Sequence, residues 1–274
     1  MKTEEFQELV WQSAVHNSRT MPWRPPSLEL RNDNTLDPYS ILVSEIMLQQ
    51  TQVERVSPKF EMFIRRFPSF QSLANAPLSD VLVLWSGLGY NRRAKFLWLA
   101  ANKIMTDFGG VFPSNYKELI TLPGVGANTA GAILAYAFNR PVVFIETNIR
   151  SVYLHHFFAE DPQVSDQQLA EYISATLDQE HPREWYYALM DYGTQLKKSG
   201  VANLNQSAHY KKQSSLKGSL REMRGHIIKA LAEATLSEMQ LKAIVKADER
   251  YEPALKALLK EQLIKKTKTG YCLA

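Results

Sequence analysis

The stretch LPGVGANTAGAILAYAFNRPVVFIETN, from Leu122 to Asn148, decides how this chain reads. It opens with a proline-glycine hairpin, passes into small residues at helical spacing, and ends on a lone carboxylate, Glu146, just beyond an apolar run. Pro123 fixes one turn angle, while Gly124 and Gly126 permit positive φ and remove Cβ atoms that would obstruct close backbone approach. A helix beginning near Ala127 then presents its first amides, at the positive end of its dipole, which suits a phosphate. A phosphate grip followed by a positioned acid points to chemistry on nucleic acid.

Outward from this stretch the periodicity is helical almost to the end of the chain. Phe60, Phe63, Ile64 and Phe67, and again Val81, Leu84, Trp85 and Leu88, recur at three and four as amphipathic helices require. FPS, NAPLS, FPSN, TLPG and NRP break the pattern and leave short connections between helices. The segment from Lys197 to Ser219 has few large apolar residues and reads as a linker or surface segment, with a domain boundary near residue 217.

Composition bounds the class. A chain of 274 residues with 45% hydrophobic and 22% charged residues is an ordinary globular protein, large enough for one domain plus a small appendage. No apolar run approaches the ~18 residues that span a membrane, and the acidic start MKTEEFQE is no secretory signal, so a cytoplasmic location is expected, at the nucleoid in a prokaryote. The single cysteine, Cys272, excludes an internal disulfide or a Cys-rich metal site.

The net charge of +4 is unevenly placed. From Lys217 onward there are 12 Lys and Arg against 7 Asp and Glu, whereas residues 1 to 216 hold 20 against 21. The tail reads as three helices, in SLREMRGHIIKALAEA, LSEMQLKAIV and YEPALKALLKEQ, followed by a two-stranded turn at Thr269 and Gly270. That plan resembles a winged-helix module, which can place a basic wing, here Lys265, Lys266 and Lys268, on a nucleic-acid backbone. A solvated lysine-rich face or a protein-contact module remains open for it.

Glu45 lies in ILVSEIMLQQ, and no Lys or Arg occurs between Pro38 and Gln52 to hold it ionised. Turned inward, it would gain proton affinity and suit general acid catalysis; on a solvated helix face it would be unremarkable. Glu146 has its own bland alternative, a carboxylate capping the helix that follows.

Five motifs together resemble the helix-hairpin-helix DNA glycosylases, in their MutY-like branch. They are MPWR at Met21 to Arg24, SEIMLQQTQV at Ser44 to Val53, WSGLGYNRRAK at Trp85 to Lys95, LPGVG at Leu122 to Gly126 and MDYG at Met190 to Gly193. The resemblance spans roughly Glu5 to Tyr210. It implies an all-α, two-lobed fold with a cleft between the lobes. One lobe would run from about 25 to 140 and the other combine 1 to 24 with 141 to 216, with residues 217 to 274 forming the winged-helix-like domain.

The resemblance also implies roles. Glu45 would protonate the departing base, and Glu146, where the family carries an aspartate, would stabilise the cationic sugar or bond to it transiently. The extra methylene adds roughly 1.5 Å of reach, and a misplacement of about 1 Å can cost on the order of a hundredfold in rate. Asn148 would order that carboxylate or the water. Asn128 stands where lyase-competent members carry a Schiff-base lysine, so base excision without strand cleavage is implied; Asn128 could still donate a hydrogen bond to Glu146.

Gln50 and Tyr90 match positions that insert near the lesion, although a core aromatic and a surface glutamine are the plainer readings of the two. Trp23, Arg24, Gln49, Thr51, Arg92, Arg93, Lys95, Gly124, Val125, Gly126 and Thr129 complete the expected DNA-binding set. The main-chain carbonyls of Ile120, Leu122 and Val125 would hold a structural Na+ or K+. The family's usual [4Fe-4S] cluster has no ligands here: Lys197, Lys198, Lys211 and Lys212 populate the segment where its cysteines would lie.

The expected partner is double-stranded DNA holding a mispaired or damaged base, bound by a monomer. Adenine opposite 8-oxoguanine or G is the leading substrate. A thymine, uracil or modified-base glycosylase on the same fold is the alternative, and a non-catalytic lesion-binding protein is the second.

Overall fold

Polar residues just ahead of apolar runs set where many helices begin, because a side-chain oxygen there satisfies an amide that the first turn leaves unpaired. The computed structural model describes residues 1–24, 35–161, 163–201, 204–208 and 215–274, and among them the chain is helical until its last dozen residues. The order is α1 (Thr3–Asn17), α2 (Pro38–Leu48), α3 (Val53–Arg66), α4 (Phe70–Ala74), α5 (Leu78–Trp85), α6 (Arg92–Asp107), α7 (Tyr116–Leu119) and α8 (Ala127–Phe138). It continues with α9 (Thr147–Phe157), α10 (Asp166–Thr176), α11 (Pro182–Lys198), α12 (Leu220–Glu233), α13 (Glu238–Val245) and α14 (Tyr251–Lys260), and closes on β1 (Ile264–Lys266) and β2 (Tyr271–Leu273).

Ser69, Asn115, Ser165, Ser219 and Ser237 each accept a hydrogen bond from the amide three residues on, capping α4, α7, α10, α12 and α14's neighbour α13. Each such cap contributes about 1 kcal/mol. The expected breaks separate helices as read, but α11 runs on through Lys198, so Lys197 and Lys198 form its last turn instead of opening a linker. Lys211 and Lys212 lie outside the described residues.

The chain divides into two compact units. Met1–Ile41, Ser114–Ile120 and Val125–Lys212 form the first; Leu42–Pro113, Thr121–Gly124 and Gln213–Ala274 form the second. This partition differs from the expected lobes. Residues 125 to 140 are grouped with α9 and α11, and the tail with α3 to α6.

Within the first unit, close backbone packing explains the assignment of α8. A Cβ on Gly131 would lie 2.6 Å from Phe144 Cβ, so only glycine lets the strand-like approach to Glu146 rest on this helix. Arg183, 1% exposed, caps the other end of α8, donating from Nε to Tyr136 O at 2.6 Å and from Nη2 to Ala137 O at 3.3 Å. Phe6 of α1 is fully buried and its ring meets Tyr153, Phe157 and Trp185 at 5.2, 4.9 and 6.0 Å. Truncating such a ring costs about 3–5 kcal/mol.

In the second unit, Phe63 packs against Phe67 and Trp85 at 5.1 and 6.3 Å. The tail is tied in by Lys95, whose Nζ donates to Glu261 O at 2.8 Å and Gln262 Oε1 at 3.0 Å, and by α12, which packs on α5. β1 and β2 pair antiparallel with Ile264 opposite Leu273, around the turn expected at Thr269 and Gly270. A Cβ on Gly270 would fall 2.0 Å from Leu236 O, so glycine is what lets the hairpin lie against the backbone two residues before α13.

Candidate active site and nucleic-acid interface

In the first unit the segment from Asn139 to Asn148 is held at every step, and Glu146 is what it delivers. Asn139 turns the chain out of α8 in the left-handed conformation, with φ of 51°. The Tyr186 hydroxyl donates to Val142 O at 2.6 Å, and its ring lies 4.2 Å from that of Phe144. Asn128, in the first turn of α8, accepts from the amide of Ile145 at 3.2 Å. This contact uses the Asn128 oxygen; the bond to Glu146 expected of Asn128 would be donated by its NH2.

Glu146 is the N-cap residue of α9, yet its side chain makes no capping hydrogen bond. The half-buried Glu146 thus lies at the positive end of the α9 dipole. Asn148, half-buried in the same turn, accepts at Oδ1 from Lys197 Nζ at 2.6 Å. Burial pushes the Lys197 ammonium below its ordinary pKa, opposed by the charge of Glu146 and aided by that of Arg19.

The MPWR and MDYG motifs meet on one ion cluster. Asp191, 4% exposed, accepts from Arg19 Nε at 2.6 Å and from Arg24 Nη1 at 3.0 Å, and the Arg24 guanidinium lies 4.2 Å from the centroid of the Tyr187 ring. Trp23 is 4% exposed. Of the two residues expected at DNA, Trp23 is buried and Arg24 fastens the segment after α1 to α11. Gly193 explains the last letter of MDYG, because a Cβ there would lie 2.2 Å from Asn148 O.

In the second unit Glu45 is half-buried on α2, between buried Ser44 and Ile46. The end of α2 is clamped by Arg93, which donates from Nη1 to Ile46 O and Met47 O, both at 2.8 Å, and from Nη2 to Thr51 Oγ1 at 3.0 Å and Gly89 O at 3.1 Å. Arg93 was expected to grip phosphate. Instead it is 8% exposed and replaces the amides that α2 no longer supplies to its last carbonyls. Burial lowers its pKa to about 10, so it stays charged at neutral pH. Arg92 remains exposed, with its guanidinium 4.9 Å from the Phe96 ring centroid. Lys95, expected beside it on phosphate, is taken up by the tail.

The same clamp shapes two tight turns. Gln50, exposed, and Tyr90, half-buried, are both left-handed, with φ of 55° and 46°. Non-glycine residues seldom adopt that conformation, and where they do the strain often marks a functional site. Gln49 Nε2 donates to Gly124 O at 3.2 Å, and Gly124 has φ of 83° with Phe96 Cβ and Ile46 Cδ1 3.0 and 3.3 Å from where its Cβ would be. Between the two turns and α12 lies a cleft of about 680 Å³ whose walls include Gln50, Thr51, Tyr90, Arg221, His226 and Lys229.

Of the remaining hairpin residues, Gly126, Ala127 and Asn128 are exposed and Thr129 is half-buried, so the start of α8 is accessible. The Leu122 and Val125 side chains, 2% and 6% exposed, anchor the hairpin, whereas Ile120 is 44% exposed. Among the described residues no three His, Cys, Asp or Glu are grouped to hold a metal, and no helix is long and apolar enough to cross a membrane. The chain's single cysteine, Cys272, lies on β2, and Lys197 occupies the place expected of the first cluster ligand.

Sequence reasoning missed Arg183, Lys197 and Arg221. Arg183 and Lys197 carry no motif signal, since each matters for which carbonyl or amide it reaches across the unit. Arg221 is invisible until the tail is docked on α5.

The chain is similar in sequence and in fold to known proteins. Residues 43–175 match the model of the HhH-GPD superfamily base excision DNA repair proteins. An adenine DNA glycosylase of Mycobacterium tuberculosis is 31% identical over 96% of this chain and 90% of its own length. That of Buchnera aphidicola subsp. Baizongia pistaciae is 37% identical over 64% of this chain, and the aligned chain spans about half, 48%, of its length. Among solved structures, a thermostable thymine-DNA glycosylase superposes with a TM-score of 0.60 at 24% identity, covering 70% of this chain and 85% of its own. An endonuclease III bound to DNA gives 0.54 at 16% identity, covering 78% and 90%.

Proposed function

Because the chain belongs to the HhH-GPD superfamily of base excision DNA repair proteins, in its MutY-like branch, we propose that it is a monofunctional DNA glycosylase. It hydrolyses the N-glycosidic bond of a flipped base, adenine mispaired with 8-oxoguanine or G, and leaves an abasic site. The observation that carries this reading is the delivery of Glu146: after the left-handed turn at Asn139, three contacts hold Val142, Phe144 and Ile145 and set Glu146 at the start of α9.

Each residue then has a task. Glu45 protonates the departing base as the bond to the sugar lengthens, and Glu146 stabilises the positive charge developing on the sugar. Asn148 orders the carboxylate or the attacking water. Asn128 has no amine with which to form an imine, so the reaction stops at base release. Gln50 and Tyr90, on strained turns bordering one cleft, fill the gap left by the extruded base. The amides of Gly124, Val125 and Gly126, with Thr129 and Arg92, contact phosphate, while Gln49 and Thr51 brace the turns.

Double-stranded DNA holding a mispaired base is the partner, bound by a monomer in the cytoplasm, at the nucleoid in a prokaryote. No iron-sulfur cluster takes part. The neutral carbonyl oxygens of Ile120, Leu122 and Val125 are a hard donor set that suits Na+ or K+ in a structural role.

The test is base release under single-turnover conditions from duplexes with A opposite 8-oxoguanine, A opposite G, T or U opposite G, and hypoxanthine, followed by hot alkali. Release confined to the adenine mispairs, and lost in Glu45→Gln, is the expected result. Release from another duplex would replace the substrate; silence across the panel with tight binding would mark a lesion-binding protein.

A further inference from the structure

The last turn of α11 lies against the first turn of α9. Gly193 touches the Asn148 carbonyl so closely that no other residue fits, and Lys197, four residues on and so on the same helix face, extends its Nζ to 2.6 Å from Asn148 Oδ1. A lysine ammonium taken out of water needs a counter-charge. Asn148 offers only an amide. The opposite charge acting on it from α9 is that of Glu146, two residues before Asn148.

We propose that Lys197 is a positioning residue for the excision reaction: it orients the Asn148 amide and supplies the positive charge that keeps the Glu146 carboxylate ionised. This rests on the assignment of Glu146 to the sugar. With its oxygen held by Lys197, the Asn148 side chain has its NH2 left to donate toward a carboxylate or a water. With a cation near, Glu146 loses its proton at lower pH, and only the ionised form opposes a positive sugar.

Among the described residues, Lys197 is a cation whose charge Glu146 favours. Arg19, from the segment after α1, raises the cost of the Lys197 charge, but Arg19 and Arg24 are both committed to Asp191 on α11. Glu146 is the group that favours the charged ammonium.

The experiment is a pH profile of single-turnover adenine release for the full chain and for Lys197→Gln, Lys197→Arg and Glu146→Gln, with melting temperature and duplex affinity measured for each. In Lys197→Gln the acidic limb should move up by about one pH unit. The rate below that limb should then fall roughly tenfold, with duplex affinity unchanged. Lys197→Arg, which keeps the charge, should retain the wild-type limb at a reduced plateau, because the guanidinium cannot repeat a single 2.6 Å contact. An unshifted acidic limb in Lys197→Gln, whatever its plateau, would overturn the proposal. Should Lys197→Gln fail to fold, an acidic limb displaced in Lys197→Arg would do the same. Full activity in Glu146→Gln would instead remove the reading on which the proposal rests, and the two failures are told apart by that variant alone.

Discussion

The guanidinium of Arg221 lies over the ring of Tyr90, 4.8 Å from its centroid, and donates to the Tyr90 hydroxyl. One residue belongs to the first turn of the tail's α12 and the other to the strained turn after α5, so the tail is built into the wall beside the expected wedge. A cation over an aromatic face contributes about 1 kcal/mol where partly desolvated. Arg221→Ala should weaken mismatch-duplex binding roughly tenfold and reduce the salt slope of binding by about one, as measured by fluorescence anisotropy across a salt series. Unchanged affinity and slope would confine the tail to a structural role.

Glu45→Gln keeps the shape of the side chain and removes its proton. Base release should fall by about 10²- to 10⁴-fold while duplex affinity stays within a few-fold. A loss of affinity matching the loss of rate would instead place Glu45 in binding.

Glu146→Asp separates an adapted site from a weakened one. The ties from Tyr186 and Asn128 hold the backbone before Glu146, and Gly193 holds the one behind it, so the chain has little freedom to follow a shorter acid. The single-turnover rate should fall roughly a hundredfold. A rate above wild type would show that the longer side chain is a loss the site has never absorbed.

Arg93→Ala leaves the carbonyls of Ile46 and Met47 unpaired in the interior. Stability should fall by on the order of 3 kcal/mol, read from urea unfolding. Arg93→Lys should restore only part of it, since one ammonium cannot span carbonyls on both turns.

His156 supplies a pH dependence. Burial, with His155 and the N-terminal amine adding to it, lowers its pKa from 6.5 to about 4, and its Nε2 lies 2.7 Å from the Tyr192 hydroxyl. Between those values the unfolded chain binds the proton and the folded one does not, so stability is full above about 6.5 and declines as pH falls toward 4. Urea midpoints should drop over that window in the wild type and drop less in His156→Gln.

Much of the fold was readable because helix breaks are local chemistry. FPS, NAPLS and TLPG end helices by the same stereochemistry in any context, and the tail's three helices and hairpin begin and end where their sequence says. The site was readable in part. Glu146 and Asn148 were singled out by their place after the hairpin, and the structure sets both at the start of α9. The inward contacts of Arg93 were not readable because an arginine that feeds internal carbonyls and one that grips phosphate look alike in a sequence; only burial separates them. Arg183, Lys197 and Arg221 were silent for a related reason, since each works on a residue at least 40 positions away.

The contact of Gly193 with the Asn148 carbonyl also limits how this site can change over generations. With backbone resting on backbone, neither helix can advance or retreat to retune the acid's position. Adjustment is left to side-chain length, in steps of one methylene, so an exchange of aspartate for glutamate at position 146 is among the smallest moves open to such a lineage. Any compensating change should then be sought in the side chains that surround the carboxylate.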